Sequence, residues 1–426
     1  MTTEAPKRKL RIAFVVQRYG ERITGGAEQL CRQVAENLSE HYDIEILTTT
    51  AKDYTDWKNY YIPGREKVDR LTIKRFPIEG QYNALRFRWQ TRLLFRLPHS
   101  LESERRWIQA QGPNTPVLID YIERNASDYD LLLFFSYRYY PAFFGLPKVR
   151  QKSVLVPTAE HDRTIYLHSY MDFFHQPRAI IYLTPEEKTL INGVTHNERV
   201  ESRIIGIGVN PPPQTDPQKF RMDFGIHGPF LLYVGRIDEN KGCGAMFNYM
   251  WRYFEENPDT PLRLLLIGFR AMHIQPHPKI IHIGYLDDEA KFNAIAAAEA
   301  MIMPSRYESL SIVTLEAMAC GAPVIVNQEC EVLQGHAERS HAAFTYSNYE
   351  EFSASIREVH ENPELCNEMR RNGKRYVQEN YSWPIVNQQY REFIAELSGG
   401  CCGTAAQEKA AAKREPSHLS VASLDQ

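Results

Sequence analysis

The sequence predicts an α/β protein of two doubly wound domains facing a cleft, and three observations carry the prediction. Its 426 residues exceed what one hydrophobic core holds, because single cores stop growing at about 250–300 residues. Short apolar runs of strand length alternate with stretches of helical spacing, the pattern of parallel sheets covered by helices. Between two such sets stands Pro211-Pro212-Pro213, with Pro217 close behind. That stiff run cannot donate to a sheet ladder at its prolines, so it reads as a connector between a domain over 1–210 and another over 211–383.

Composition narrows the class. With 50 basic and 53 acidic residues the formal net charge is -3, which argues against a dedicated nucleic-acid binder held by phosphate contacts. Seven cysteines lack any CxxC spacing, so reduced thiols in a cytoplasmic compartment are expected rather than a disulfide framework. Lys7-Arg8-Lys9 precedes an apolar run at 12–16 that is too short for a signal core. No run is long enough to span a bilayer, so any membrane contact is expected to be peripheral.

In the first domain, residues 10–16 form a strand, 17–26 a loop bearing Gly25 and Gly26, and 28–38 a helix with Leu30, Val34 and Leu38 on one face. Strands follow at 44–49 and 71–76, separated by a polar, aromatic loop over 54–61. The stretch 85–106 interleaves Arg86, Arg88, Arg92, Arg96, Arg105 and Arg106 with Leu85, Phe87, Trp89, Leu93, Leu94, Phe95 and Leu97. It reads either as an interfacial element for an anionic membrane or as a helix packed on its domain with snorkelling arginines. A helix at 117–123 precedes a strand at 131–135. Asp128-Tyr129-Asp130 matches a DxD pattern, but it stands before that strand instead of after it, so no metal site is assigned. The strand 153–157 leads into Thr158-Ala159-Glu160-His161-Asp162, at the end of the sheet where ligands sit. His161 is thereby placed for function, with a structural histidine as the competing reading. A strand at 179–183, a helix opened by Thr184 and Pro185, and the segment 204–210 complete the domain.

The second domain opens with a strand at 230–234 and a loop carrying Gly235, Arg236, Asn240, Lys241 and Gly242. Arginine grips phosphate with a planar fork and lysine with a compact charge, while glycines bring the loop close to a ligand. Strands at 262–268, 280–284 and 301–303, with a helix over 287–298, lead into MIMPSRYESLSIVTLEAMACGAPVIV at 301–326. Pro304 ends the strand, Ser305 to Tyr307 turn, Glu308 stands at the start of a helix, and Gly321 with Pro323 ends it before a strand at 324–326. The first amides of that helix, around Leu310 and Ser311, suit a phosphate. On a continuous helix Glu308 and Glu316 lie up to ~12 Å apart along the axis, a span that accommodates a sugar, a diphosphate and a ribose. Glu308 then accepts from hexose hydroxyls and Glu316 from ribose; two solvated helix glutamates are the alternative. Helices are expected at 351–377 and 383–397, and residues 399–426, with Cys401-Cys402, as a flexible tail.

The 301–326 stretch resembles the sugar-nucleotide signature of glycosyltransferase family 4, the retaining group 1 glycosyl transferases of GT-B type, through Pro304, Ser305, Glu308, Glu316, Ala317, Met318, Gly321, Pro323, Val324 and Ile325. It departs at Leu310-Ser311, where that family usually has Phe-Gly. The segment VGRIDENKG is similar to the family's diphosphate-binding Gly-Arg and Lys-Gly elements. The Gly-Gly-Ala-Glu loop at Gly25, the histidine at His161 and Gly208-Val209-Asn210 at the domain juncture also resemble family positions. Beyond Val326 the family's run toward an Asn-Gly turn is absent.

The resemblance implies a GT-B fold of two doubly wound Rossmann-like domains, an acceptor-side first domain, a nucleotide-sugar-binding second domain and a last helix over 384–398 that crosses back to the first. It implies a retaining hexosyltransferase that uses a nucleotide-diphosphate sugar and a saccharide or lipid-linked saccharide acceptor, in cell-surface polysaccharide or glycolipid assembly. Catalysis falls to His161, Glu308, Arg236 and Lys241. Donor binding falls to Gly25, Gly26, Gly235, Arg236, Lys241, Glu308, Leu310, Ser311 and Glu316. No cofactor and no metal are expected, and neither is a nucleic-acid partner. The expected location is the cytoplasm, with 85–106 as a contact to the inner face of a membrane. A sugar-nucleotide epimerase and a non-catalytic nucleotide-sugar-binding protein are the alternatives.

Overall fold

The computed structural model describes residues 8–21, 23 and 25–399; the expected tail, with Cys401-Cys402, lies outside them except for Gly399. The apolar runs of the first half pair into one eight-stranded sheet: β1 (Arg11–Val15), β2 (Asp43–Thr49), β3 (Gly64–Val68), β4 (Leu71–Phe76), β5 (Leu131–Phe135), β6 (Ser153–Val156), β7 (Ala179–Tyr182) and β8 (Glu201–Ile204). Their order is β3-β4-β2-β1-β5-β6-β7-β8. Those of the second half pair into a six-stranded sheet: β9 (Phe230–Val234), β10 (Arg263–Ile267), β11 (Ile280–Gly284), β12 (Ala300–Met303), β13 (Val324–Asn327) and β14 (Ala343–Tyr346), ordered β11-β10-β9-β12-β13-β14. β5 and β9 are buried at every position, as continuous apolar runs must be when helices cover both faces.

Both sheets are parallel except for β3, which pairs antiparallel with β4. β3 carries no apolar alternation, because its five residues, Gly-Arg-Glu-Lys-Val, are exposed and mostly charged, the composition of a guarded edge strand. In each sheet the chain winds outward in one direction and then returns to start beside its first strand. The first sheet therefore reverses between β1 and β5 and the second between β9 and β12. Crevices open at the carboxyl ends of strands at such reversals, and here two of them meet.

The chain crosses between sheets after β8. Gly208 packs under the indole of Trp383, where a Cβ would stand 2.2 Å from the ring, so no larger residue fits without moving that helix. Beside it, Val209 N donates to Tyr381 O at 2.7 Å. The helix Trp383–Leu397 then packs on the helix Gly26–Leu38 of the first sheet. Arg203, on β8, pairs with Glu396 at 2.7 Å.

Three helical expectations need correction. Residues 85–106 are two helices, Ala84–Leu94 and Leu101–Gln111, because Pro98 interrupts the run and Ser100 caps the second helix by accepting from Ser103 N. The expected helix over 351–377 is likewise two, Tyr349–Glu361 and Pro363–Asn380, broken where Pro363 takes a first-turn position suited to a residue without an N–H. Glu308 does not open a helix: the helix begins at Ile312 and runs to Cys320. The axial spacing drawn for Glu308 and Glu316 on a continuous helix therefore does not apply, and Glu308 lies in the loop that precedes it.

Candidate active site

The loops after β1, β5, β9 and β12 meet at the paired reversals. After β9, Gly235 has φ +152° and Arg236 follows; its guanidinium pairs with Asp238, and its Nη1 donates to Tyr54 OH of the other domain at 2.9 Å. Asp238 also accepts from Lys241 N at 2.9 Å, which closes the loop into a turn. Gly242 completes that turn with φ +73° and lies so close to Pro304 that a Cβ would stand 2.1 Å from its carbonyl oxygen. Only glycine meets both demands, and this approach seats the cationic loop against the loop that carries Glu308.

Lys241 Nζ reaches Glu308 Oε1 at 2.6 Å. Burial acts to lower the Lys241 pKa, but Glu308 and Glu160 outweigh it and hold it above the ordinary lysine range. Glu160 belongs to the loop after β6. Burial raises its pKa, opposed by Arg138 and Lys241. Arg138, which follows β5, pairs with Asp162 at 2.9 Å. The cleft floor thus alternates cations and carboxylates drawn from both domains.

Glu316 is set apart. It is 5% exposed, and Lys291 Nζ holds its Oε1 at 2.8 Å, whereas Oε2 is buried without a hydrogen-bond partner. Burial raises its pKa while Lys291 draws it down. A buried carboxylate oxygen with no donor is costly, and its natural complement is a hydroxyl. Leu310 is buried, and Ser311, the residue before the helix, adopts φ +61°. A side chain in that left-handed region costs roughly 1 kcal/mol. Ser311 Oγ lies 2.8 Å from Thr314 Oγ1. The free amides therefore sit at 311–313, later than the sequence implies.

His161 is exposed on the first-domain side. Its Nε2 lies 2.7 Å from Tyr166 OH and its Nδ1 3.5 Å from Glu331 of the second domain. With Glu186, Glu308 and Cys330 it lines a shared pocket. Two further contacts cross the cleft: Thr184 Oγ1 donates to Ser309 O at 3.4 Å, and Arg339 pairs with Glu186. Gly25 caps the helix Gly26–Leu38 from the first domain, with the Glu28 carboxylate folded over it, and Gly26 faces open space. Glu28 pairs with Arg18 at 2.5 Å, and the Arg18 and Arg236 guanidiniums both lie over the Tyr54 ring. Asp128-Tyr129-Asp130 precedes β5, at the opposite end of the strand from the cleft. Asp130 is taken by Arg8 and by Arg11 N, and Tyr129 OH donates to Glu45.

Sequence reasoning missed the groups that aim this machinery. His336, fully buried, lies between Leu310 O at 2.8 Å and Tyr376 OH at 3.0 Å. One tautomer satisfies both: Nε2–H donates to Leu310 O, and Nδ1 accepts from Tyr376. His336 thereby fixes the carbonyl next to the free amides, and burial lowers its pKa to about 4. No motif announces it. Lys291 lies 25 residues from Glu316 and Tyr54 182 residues from Arg236, so neither pairing could be read locally.

The architecture defines the class: a GT-B fold, two parallel α/β domains with a site where their reversals meet. Residues 217–376 match the family described as Glycosyl transferases group 1. Mannosylfructose-phosphate synthase of Agrobacterium fabrum is 24% identical over 195 residues, 42% of this chain and 43% of the relative. A D-inositol 3-phosphate glycosyltransferase of Pseudarthrobacter chlorophenolicus is 32% identical over 126 residues, 26% of this chain and 29% of the relative. The chain spans about half or less of the length of these curated relatives. Among solved structures, sucrose-phosphate synthase of Thermosynechococcus elongatus superposes with a TM-score of 0.65 at 18% identity, covering 91% of this chain and 100% of that one. HepE of Anabaena, in complex with UDP and glucose, superposes with a TM-score of 0.65 at 14% identity, covering 91% and 99%.

Proposed function

We propose that the protein is a retaining glycosyltransferase that moves a hexose from a nucleotide-diphosphate sugar to a hydroxyl acceptor. The observation that carries the reading is Glu316, a buried carboxylate with one oxygen on Lys291 and the other without a donor, on the helix that follows the loop where Lys241 meets Glu308. A ribose hydroxyl donating to Oε2 completes that group. The second domain, 211–383, takes the donor and the first, 1–210, the acceptor. Arg236, Lys241 and the amides at 311–313 receive the diphosphate, Glu308 accepts from the hexose hydroxyls, and His161 faces the sugar from the acceptor side. Gly26, which faces open space, leaves room beneath it, and Gly25 lets the Glu28 carboxylate fold close.

Lys241 is engaged with Glu308, and Arg236 with Asp238 and Tyr54. A diphosphate displaces those partners and turns both cations toward itself, which leaves Glu308 free to accept from the sugar. The acceptor hydroxyl attacks on the face the leaving group departs from. The C–O bond to the diphosphate breaks as the new glycosidic bond forms, and the departing phosphate oxygen takes the acceptor proton. The growing negative charge falls on Arg236, Lys241 and the helix start, preorganised donors of the kind that dominate such catalysis.

The acceptor in this reading is a saccharide or a lipid-linked saccharide. Leu85, Trp89, Leu93 and Leu101 on the two arginine-rich helices of the first domain, and Leu97 in the turn between them, are exposed, a combination that suits the anionic inner face of a membrane. No helix among the described residues is long and apolar enough to cross one. Incubating the protein with UDP-, GDP- and dTDP-sugars, with and without saccharide acceptors, tests the function. A transferase gives slow donor hydrolysis alone and a new glycoside with acceptor. Conversion of the free donor to its epimer indicates the epimerase, and donor binding without turnover indicates a non-catalytic binder; either result overturns the proposal.

A further inference from the structure

We infer that His99, Glu104 and His168 form a binding site for a divalent cation of the zinc class, on the first domain and away from the donor site. His99 lies in the turn between the helices Ala84–Leu94 and Leu101–Gln111, Glu104 in the first turns of the second of these, and His168 opens the helix His168–Phe173. One ligand atom from each falls within 4.8 Å of the others. His99 Nε2 is 3.0 Å from Glu104 Oε1, and His168 Nδ1 is 3.4 Å from the same oxygen. Zinc binds imidazole nitrogen and carboxylate oxygen at about 2.0–2.2 Å, which sets neighbouring ligands of a tetrahedral site roughly 3.3–3.5 Å apart. The two nitrogen-to-oxygen separations, 3.0 and 3.4 Å, already lie close to that requirement.

The partners around the three groups prepare them for a cation. Glu104 is fully buried, and two backbone amides fix its carboxylate: Ser169 N donates to Oε2 at 2.6 Å and His168 N to Oε1 at 3.1 Å. His99 Nδ1 is 3.0 Å from Leu97 O, so the neutral ring keeps its proton on Nδ1 and turns its Nε2 lone pair toward a carboxylate oxygen. Two acceptors at that distance repel each other unless a cation stands between them, either a proton on Nε2 or a metal ion. A tie from the outer imidazole nitrogen to a backbone carbonyl is the arrangement that orients metal-bound histidine. The His168 side chain is 80% exposed, which leaves a fourth position open to water. Two nitrogens and one oxygen suit zinc better than magnesium or calcium, which prefer oxygen alone.

The consequence is a staple. The site fastens the turn of the arginine-rich helix pair to the helix His168–Phe173, which follows the His161 loop. Arg163, between them, already lies over the Phe95 ring at 5.5 Å. Bound zinc therefore sets how firmly the exposed apolar ridge is held against the acceptor side of the cleft, and it takes no part in bond making.

Equilibrium dialysis of the full chain against zinc chloride, with metal analysis, tests the site in the wild type, His99→Ala and His168→Ala. Circular dichroism reports whether each variant folds, and the exposure of His168 keeps the second substitution harmless to packing. One zinc per chain is expected, with affinity reduced at least ~10-fold by either substitution. Cobalt substituted for zinc should show the visible ligand-field bands of a four-coordinate site, and those bands should disappear in His168→Ala. No zinc uptake by the wild type would overturn the inference and leave a proton as the cation between His99 and Glu104. Uptake unchanged in both variants would overturn it equally, by assigning the metal to other groups.

Discussion

Ser311 occupies a backbone conformation that glycine adopts freely, at the point where a diphosphate is proposed to meet the helix. Ser311→Gly removes the strain, so it should raise stability by up to about 1 kcal/mol and leave nucleotide affinity within a few-fold, as thermal melts and titration would show. His336 makes the opposite case, a buried side chain whose protonation the fold resists. Its folded pKa near 4 lies below the ordinary 6.5, so between these values the unfolded chain binds more protons than the folded one. The His336 contribution to stability is therefore full above pH 6.5 and is lost as pH drops toward 4, by about 3 kcal/mol. Denaturant melts across that range should show the decline in the wild type and a flatter profile in His336→Gln, which can still donate to Leu310 O. An equally steep decline in the variant would assign the acid sensitivity elsewhere.

At the scale of elements, β12, the loop after it and the helix Ile312–Cys320 were legible because Pro304, Gly321 and Pro323 punctuate the apolar pattern. The helix start was not. Ser311 in a left-handed conformation delays it beyond Glu308, and a pattern of apolar residues does not register one residue's φ. The strand β3 was missed for a related reason: a charged edge strand carries no hydrophobic alternation. In the arginine-rich region the composition was legible and the two-helix division was not. Those helices make their own prediction: the protein should float with liposomes rich in anionic lipid, less so as salt rises. Replacing Arg88, Arg92 and Arg96 by glutamine should reduce flotation severalfold while the fold survives, since each basic residue near such a surface contributes about 1 kcal/mol. Unchanged flotation would make the ridge ordinary packing.

For the whole molecule, two doubly wound sheets could be read from alternating runs and the GT-B arrangement from the motifs. The contacts that close the cleft could not, because they join residues over a hundred positions apart, as Arg236 with Tyr54 and Arg339 with Glu186. Closure brings the cations of one domain to the carboxylates of the other, and it underlies a prediction about metal. If Arg236, Lys241 and the helix start supply the charge that a divalent cation supplies elsewhere, turnover in excess EDTA should stay within a few-fold of that in magnesium. Lys241→Ala should cost on the order of 100-fold. Complete loss in EDTA, restored by manganese, would refute that charge accounting.

The division of labour between the two glutamates is the centre of the account, and steady-state kinetics combined with titration of the free nucleotide reads it most directly. Glu308→Gln should lower transfer by at least ~100-fold with a much smaller effect on nucleotide binding, because it removes the charged acceptor proposed to meet the sugar. Glu316→Ala should chiefly weaken nucleotide binding, because it removes the proposed acceptor for the ribose and leaves Lys291 with Asp288 as its carboxylate partner. Equal effects of both substitutions on both quantities would contradict the account.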